Sequence, residues 1–159
     1  MKAVYPGSFD PPTYGHLDLI KRASQIFEQV IVVVGDNPQK KSVFSLEKRI
    51  ELMKVAIKDF PNVCIDKFTG LIIDYLKNKN VKIVIRGLRA ISDFEYEFQM
   101  ALTNRKMHPK IETIFMMPDE SYSYLSSKLI KEVASLGGDV SQFVPPFVEE
   151  ELKRLHAAR

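Results

Sequence analysis

The chain has 159 residues, 45% hydrophobic and 27% charged, and its 23 Lys and Arg against 20 Asp and Glu leave a net charge of +3. That length suits one domain, residues 1–159, with a full hydrophobic core. The weak charge, with no basic run longer than pairs such as Lys40-Lys41, argues against a nucleic-acid partner. Apolar runs far below the roughly 18 residues of a membrane span argue against a membrane partner. Cys64 stands alone and points to a reducing compartment without disulfides. MKAVYPG reaches proline at residue 6 with no charged-then-apolar leader, so a cytoplasmic location is expected.

In chain order, the β-branched run Lys2–Tyr5 predicts a strand, and YPGSFDPPTYGH (residues 5–16) a rigid loop. Leu17–Phe27 has helical spacing, with Leu17, Ile20, Ala23 and Phe27 on one face. A strand Val30–Gly35 follows, then a loop bearing Lys40 and Lys41. Ser45 is placed to cap a helix carrying Leu46, Ile50, Met53 and Ile57 inward. Further strands are predicted at Val63–Phe68, Val81–Arg86 and Thr113–Met117. Between them lie a short helix Leu71–Lys77 and a longer one, Ser92–Met107, with Phe94, Phe98, Ala101 and Leu102 expected inward. Ser126 or Ser127 starts another helix that stops at Gly137-Gly138, and a last helix runs from Pro145-Pro146 to about Leu155.

Strands such as VIVVVG are apolar on both faces, as buried parallel strands are. Five of them alternating with helices predict an α/β, doubly wound, five-stranded parallel sheet with a C-terminal helix. Ligands in that architecture bind outside the carboxyl ends of the strands. The chemistry is therefore expected on Pro6–His16, Gly35–Lys41, Phe68–Ile72, Arg86–Arg89 and Pro118–Ser127.

Each of those loops carries residues suited to phosphate. His16 follows Gly15 on the opening turn of a helix, where free N–H groups favour anions. An isolated Gly-His is equally a plain turn with a capping imidazole. Arg86 and Arg89, in RGLR at the end of a buried strand, suit an oxyanion, or else ion pairs with Asp93, Glu95 or Glu97. Asp93 and Glu97 share a helix face with Asn104 and could meet ribose or a hydrated ion, although most such carboxylates are merely solvated. Ser123, Ser126 and Ser127 precede a second helix start, as phosphate contacts or as N-caps. The chain has no GxxxxGK[ST], no GxGxxG, no HExxH, no cysteine cluster and no GxSxG. A phosphate cradle without a protein nucleophile suggests direct transfer between two bound substrates.

Three segments, YPGSFDPPTYGH, RGLRAISDFEYE and YLSSKLIKEVA, resemble in order and spacing the signatures of the bacterial phosphopantetheine adenylyltransferase family. That family belongs to the nucleotidyltransferases with a [TH]xGH motif, here Thr13-Tyr14-Gly15-His16. The likeness runs from about residue 3 to residue 150. It implies a Rossmann-like nucleotidyltransferase fold and reversible adenylyl transfer from ATP, with Mg²⁺, to 4'-phosphopantetheine. The products are 3'-dephospho-coenzyme A and pyrophosphate, formed by in-line attack without a covalent enzyme intermediate. Carried over by position, Ser8, Lys40, Ile72 and Arg86 bind phosphopantetheine, Ile72 through its backbone. Ser8, Phe9, His16, Gly87, Leu88, Arg89, Glu97 and the segment Tyr122, Ser123, Tyr124, Leu125, Ser126, Ser127 and Lys128 bind ATP. His16 and Lys40 act on the transferring phosphate, and His16 stabilises the transition state. The resemblance further implies a homohexamer, a dimer of trimers, and coenzyme A as a feedback ligand.

Two positions depart from the common pattern. Ser8 replaces a frequent threonine and keeps the hydroxyl. Lys128 replaces the last residue of a serine triplet, where it either adds charge at the triphosphate or points to solvent. Sister enzymes acting on nicotinamide mononucleotide, or on a polyol phosphate with CTP, usually begin HxGH where Thr13 stands here. A silent nucleotide-binding module is the alternative of another class, and the intact His16 argues against it.

Overall fold

A computed structural model describes residues 1–158, residues 91 and 92 by their backbone alone. Five strands, β1 (Lys2–Gly7), β2 (Gln29–Asp36), β3 (Val63–Thr69), β4 (Ile83–Gly87) and β5 (Glu112–Met116), form one sheet in the order β3-β2-β1-β4-β5. Every pairing is parallel. The expected doubly wound sheet is present, and its order reverses between β1 and β4. Ala3 there pairs with Val30 on one side and Ile83 on the other.

Alternation along the strands fills two core layers. Ala3, Tyr5, Val30, Val32, Val34 and Ile85 face α1 (Tyr14–Ile26) and α2 (Leu46–Ala56). Val4, Ile31, Val33 and Val84 face Ile73 and Leu76 of α3 (Ile72–Lys79). Local chemistry sets the helix ends. Ser45 accepts from the Lys48 N–H at 3.2 Å and caps α2 as expected. α1 starts at Tyr14, ahead of the expected Leu17, because Thr13 and His16 form a reciprocal capping box. The inward face of α1 also includes Leu19, which the spacing argument passed over.

The helix α4 (Ile91–Met107) requires a correction. Phe94, Phe98 and Leu102, expected inward with Ala101, are 47%, 45% and 46% exposed, and Ala101 is half-buried. The buried residues are instead Glu97 and Asn104, at 8% and 6%. Arg86 of β4 lies beneath this helix, and its half-buried guanidinium calls for a partner that Glu97 supplies. That demand turns the polar face of α4 inward and leaves Phe94 stacked on Phe98 outside, ring centroids 5.5 Å apart.

Past β5, a single 3-10 turn at Glu120–Tyr122 leads to α5 (Ser127–Ser135) and α6 (Pro146–Ala157). Ser126 caps α5, and Gly137 adopts the left-handed φ of +78° after it. Ile130, Val144, Val148 and Leu152 pack with Leu52, the side of α2 turned away from the sheet. This third cluster holds the start of α5 at the carboxyl edge of the sheet. Leu152→Ala is expected to cost about 2–5 kcal/mol, the usual range for a buried leucine. Denaturant unfolding measures the loss, and a cost within experimental error would mean that α6 does not brace the fold.

Candidate active site

The carboxyl ends of β1 and β4 open into a cleft of about 570 Å³. Of the residues singled out in the sequence, it brings together Ser8, His16, Lys40, Arg86, Gly87, Arg89, Glu97, Tyr122, Leu125, Ser126, Ser127 and Lys128. Phe9 lies beneath the floor, 1% exposed. Leu88, Ser123, Tyr124 and Ile72 do not line the cleft: Tyr124 sits edge-on to Phe143, and Ile72 packs into the second core layer. Residues not singled out also line it, among them Tyr5, Asp10, Leu19, Ser42 and Lys131. Asp10 and Ser42 sit in or beside the predicted loops, Tyr5 and Lys131 fall within the segments that carry the family resemblance without being assigned a role, and Leu19 has no signal beyond its helix.

His16 is held from one side. Its Nδ1 accepts from the Thr13 backbone N–H at 3.0 Å, while the His16 N–H donates to Thr13 Oγ1 at 3.3 Å. With Nδ1 an acceptor, the neutral ring carries its proton on Nε2, the nitrogen left for a ligand. Phe9 meets the imidazole edge to face at 4.9 Å. Burial, with the nearby Arg89 guanidinium, lowers the His16 pKa from 6.5 to about 4. At neutral pH His16 is therefore an uncharged donor, and only its Nε2–H is free.

The arginines of RGLR and the carboxylates of DFEYE form one assembly. Arg86 meets Glu97 in a two-pronged pair, Nε to Oε2 at 2.9 Å and Nη2 to Oε1 at 2.8 Å, and Nη1 donates to the Pro6 carbonyl at 3.1 Å. Burial opposes the charge on Arg86, but the hydrogen bonds to Glu97 outweigh it and raise the pKa. Arg89 pairs with Asp93 at 3.4 Å and donates to the Leu125 carbonyl. The ion-pair alternative is thus realised, within the cleft rather than on an open surface. Both oxygens of Glu97 are engaged, so its carboxylate acts on the cleft by aiming Arg86. Gly87 lets the end of β4 lie close to α1: a Cβ there would stand 2.6 Å from Leu19 Cδ1.

The serines have local partners. Ser126 Oγ accepts from the Leu129 N–H at 3.1 Å, and Ser127 Oγ donates to the Pro11 carbonyl at 2.9 Å, tying α5 to the first loop. Lys40, Lys41 and Lys128 line the cleft and, among the described residues, meet no carboxylate within ion-pair distance. The six cations lining the cleft, Lys40, Lys41, Arg86, Arg89, Lys128 and Lys131, face three carboxylates, Asp10, Asp93 and Glu97. All three carboxylates are already engaged by the protein. The uncompensated charge suits a polyanion.

A switch-point cleft with this charge and a histidine on a helix start is that of an α/β enzyme handling nucleotide phosphates. A family model described as cytidylyltransferase-like matches residues 4–133. A phosphopantetheine adenylyltransferase of Dictyoglomus thermophilum is 55% identical over 152 residues, 96% of this chain and 93% of the relative. One of Clostridium tetani is 56% identical over 150 residues, 94% of each chain. The Plasmodium falciparum nicotinic acid mononucleotide adenylyltransferase, solved with NaAD, shares the fold at a TM-score of 0.70 and 16% identity, covering 96% of this chain and 94% of that one. The fold and family model make the chain a cytidylyltransferase-like nucleotidyltransferase. It belongs to the phosphopantetheine adenylyltransferase family.

Two outcomes follow from this geometry. In the free protein the His16 ring resonances are expected to titrate near pH 4. A depressed pKa means that the stability His16 contributes as a neutral ring is complete above pH 6.5 and is lost as pH falls toward 4. NMR titration checks this, and a midpoint near 6.5 would mean that neither desolvation nor Arg89 acts on the ring. Glu97→Ala strands Arg86, and breaking a fully buried pair costs roughly 3–5 kcal/mol. With 34% of the Arg86 side chain in water, about 2 kcal/mol is expected in thermal or denaturant unfolding.

Proposed function

We propose that the protein transfers the adenylyl group of ATP to 4'-phosphopantetheine, releasing pyrophosphate and forming 3'-dephospho-coenzyme A, reversibly and within coenzyme A biosynthesis. The observation that carries this reading is the His16 Nε2–H, left for a ligand in a cleft where Lys40, Lys41 and Lys128 meet no carboxylate among the described residues. A terminal oxygen of the acceptor's phosphate attacks the α-phosphorus of ATP. The α-phosphorus bond to the bridging oxygen breaks, and that oxygen leaves with pyrophosphate. His16 and Lys40 donate to the α-phosphate oxygens as charge builds, and no protein group need take up the phosphorus. Arg86, aimed by Glu97, and Ser8 hold the acceptor phosphate. Arg89, Lys128 and the start of α5 receive the β- and γ-phosphates, with Phe9 offering its backbone.

Mg²⁺ enters as part of the substrate, bound to the ATP phosphates and water. Among the described residues no group of three or more metal-ligating side chains comes together, and the three cleft carboxylates are already engaged. The ion would neutralise phosphate charge from the solvent side, as Mg²⁺ that keeps several waters does. The exposed apolar side chains of α4, Phe94, Phe98 and Leu102 on one face and Tyr96 and Met100 on another, support self-association, for which we propose the homohexamer. Coenzyme A, which keeps the pantetheine arm and adenylate of the product, is the proposed feedback ligand. The cytoplasm is the proposed location, given the unpaired cysteine; among the described residues no helix is long and apolar enough to cross a membrane.

The test is turnover with ATP, Mg²⁺ and 4'-phosphopantetheine, following pyrophosphate and identifying the product by mass. Nicotinamide mononucleotide with ATP and glycerol phosphate with CTP run beside it. Product from phosphopantetheine alone is expected; turnover only on another acceptor would overturn the substrate. His16→Ala is expected to lower kcat by about 10²–10³, the usual cost of one preorganised donor, without unfolding the protein. A near-normal kcat would remove His16 from the mechanism.

A further inference from the structure

Arg49 of α2 is 2% exposed, and among the described residues no carboxylate lies within ion-pair distance of it. A buried cation with no anion is costly unless its donors are well used. The Nε and Nη1 donors of Arg49 go to three backbone carbonyls on three segments around the cleft. Nη1 donates to Ser8 at 2.8 Å and to Gly35 at 2.9 Å, and Nε donates to Phe44 at 3.3 Å. Ser8 belongs to the first loop, Gly35 to the end of β2, and Phe44 to the root of the exposed loop that carries Lys40. The same root is gripped from the other side by Asp10, whose carboxylate accepts from the Val43 and Phe44 N–H groups at 2.8 and 2.9 Å and from Lys131 at 3.3 Å.

The contact with Ser8 has a directional consequence. In a trans peptide the carbonyl and the following N–H point to opposite sides. Drawing the Ser8 carbonyl inward to Arg49 therefore turns the Phe9 N–H away from Arg49. Among the described residues that N–H has no acceptor. Phe9 also holds a left-handed φ of +48°, a conformation that costs a non-glycine residue on the order of 1–2 kcal/mol and needs support from its surroundings.

We propose, taking the nucleotidyl-transfer reading of the cleft as given, that Arg49 is a positioning residue for the reaction. Its buried guanidinium turns the Phe9 N–H toward the phosphates of ATP and fixes the root of the Lys40 loop. It touches no substrate and works through Ser8, Phe9 and Lys40.

Arg49→Lys keeps the charge but cannot span three carbonyls. It is expected to lower kcat by about 10- to 100-fold, the cost of a small misplacement of reacting groups. The KM for ATP is expected to move much less, in a protein folded at the assay temperature by circular dichroism. Lys40→Ala should cost much less in the Arg49→Lys background than in the unsubstituted protein, because the lysine is already misplaced. Kinetics within twofold of the unsubstituted enzyme, or an unchanged cost of Lys40→Ala, would overturn the proposal. If Arg49→Lys does not fold, NMR of the unsubstituted protein decides the matter: the Phe9 amide must shift and become protected from exchange on adding ATP, and an unmoved amide overturns the role. An amide that responds to ATP in a protein with no turnover on phosphopantetheine would overturn the acceptor named above and support the role of Arg49.

Discussion

A parallel sheet covered on both faces can present polar groups only at its ends. Everything chemical about this molecule follows from that constraint. Two core layers seal the faces of the sheet. The strand order reverses between β1 and β4, so their connections leave in opposite directions and a gap opens where Pro6–Ser8 and Arg86–Arg89 emerge together. The remaining contributors, α1, the Lys40 loop and α5, are brought to that gap by their own packing.

In and around the cleft the cations divide by what the fold asks of them. The arginines are held: Arg86 by Glu97, Arg89 by Asp93, Arg49 by carbonyls. Their planar forks suit fixed, multiple contacts. Lys40, Lys41 and Lys128 are long, exposed and without carboxylate partners among the described residues. Their charge remains for a mobile polyanion. His16 adds direction without charge, since its proton is confined to Nε2 by the bond that Nδ1 accepts. The site thus combines diffuse attraction from lysines with donors that the fold has aimed.

Much of this was legible along the chain, and the failures share a cause. Thr13, His16 and Ser126 act within a few residues of their own positions, through capping bonds. Arg86 and Glu97 were both singled out, but two readings stayed open, since only the approach of α4 to β4 decides that they pair. The apolar stripe of α4 reads as inward in the sequence because hydrophobic spacing marks a face that avoids water and does not say what covers it. Arg49 gave no signal at all. In the sequence it is one charged residue in an amphipathic helix, and its importance comes from three carbonyls contributed by Ser8, Gly35 and Phe44.

The sequence by itself determined the elements, their alternation and hence the parallel sheet, because strand and helix periodicity and caps are local properties of the chain. It also determined which end of the sheet would carry the site, through the glycines, the histidine and the basic residues gathered in the loops after the strands. The tertiary structure alone decided which charges neutralise one another, which nitrogen of His16 is free, and which face of α4 stays outside. Those are matters of distance and burial between segments remote in sequence, and the energies of charges and hydrogen bonds depend on their surroundings rather than on residue type.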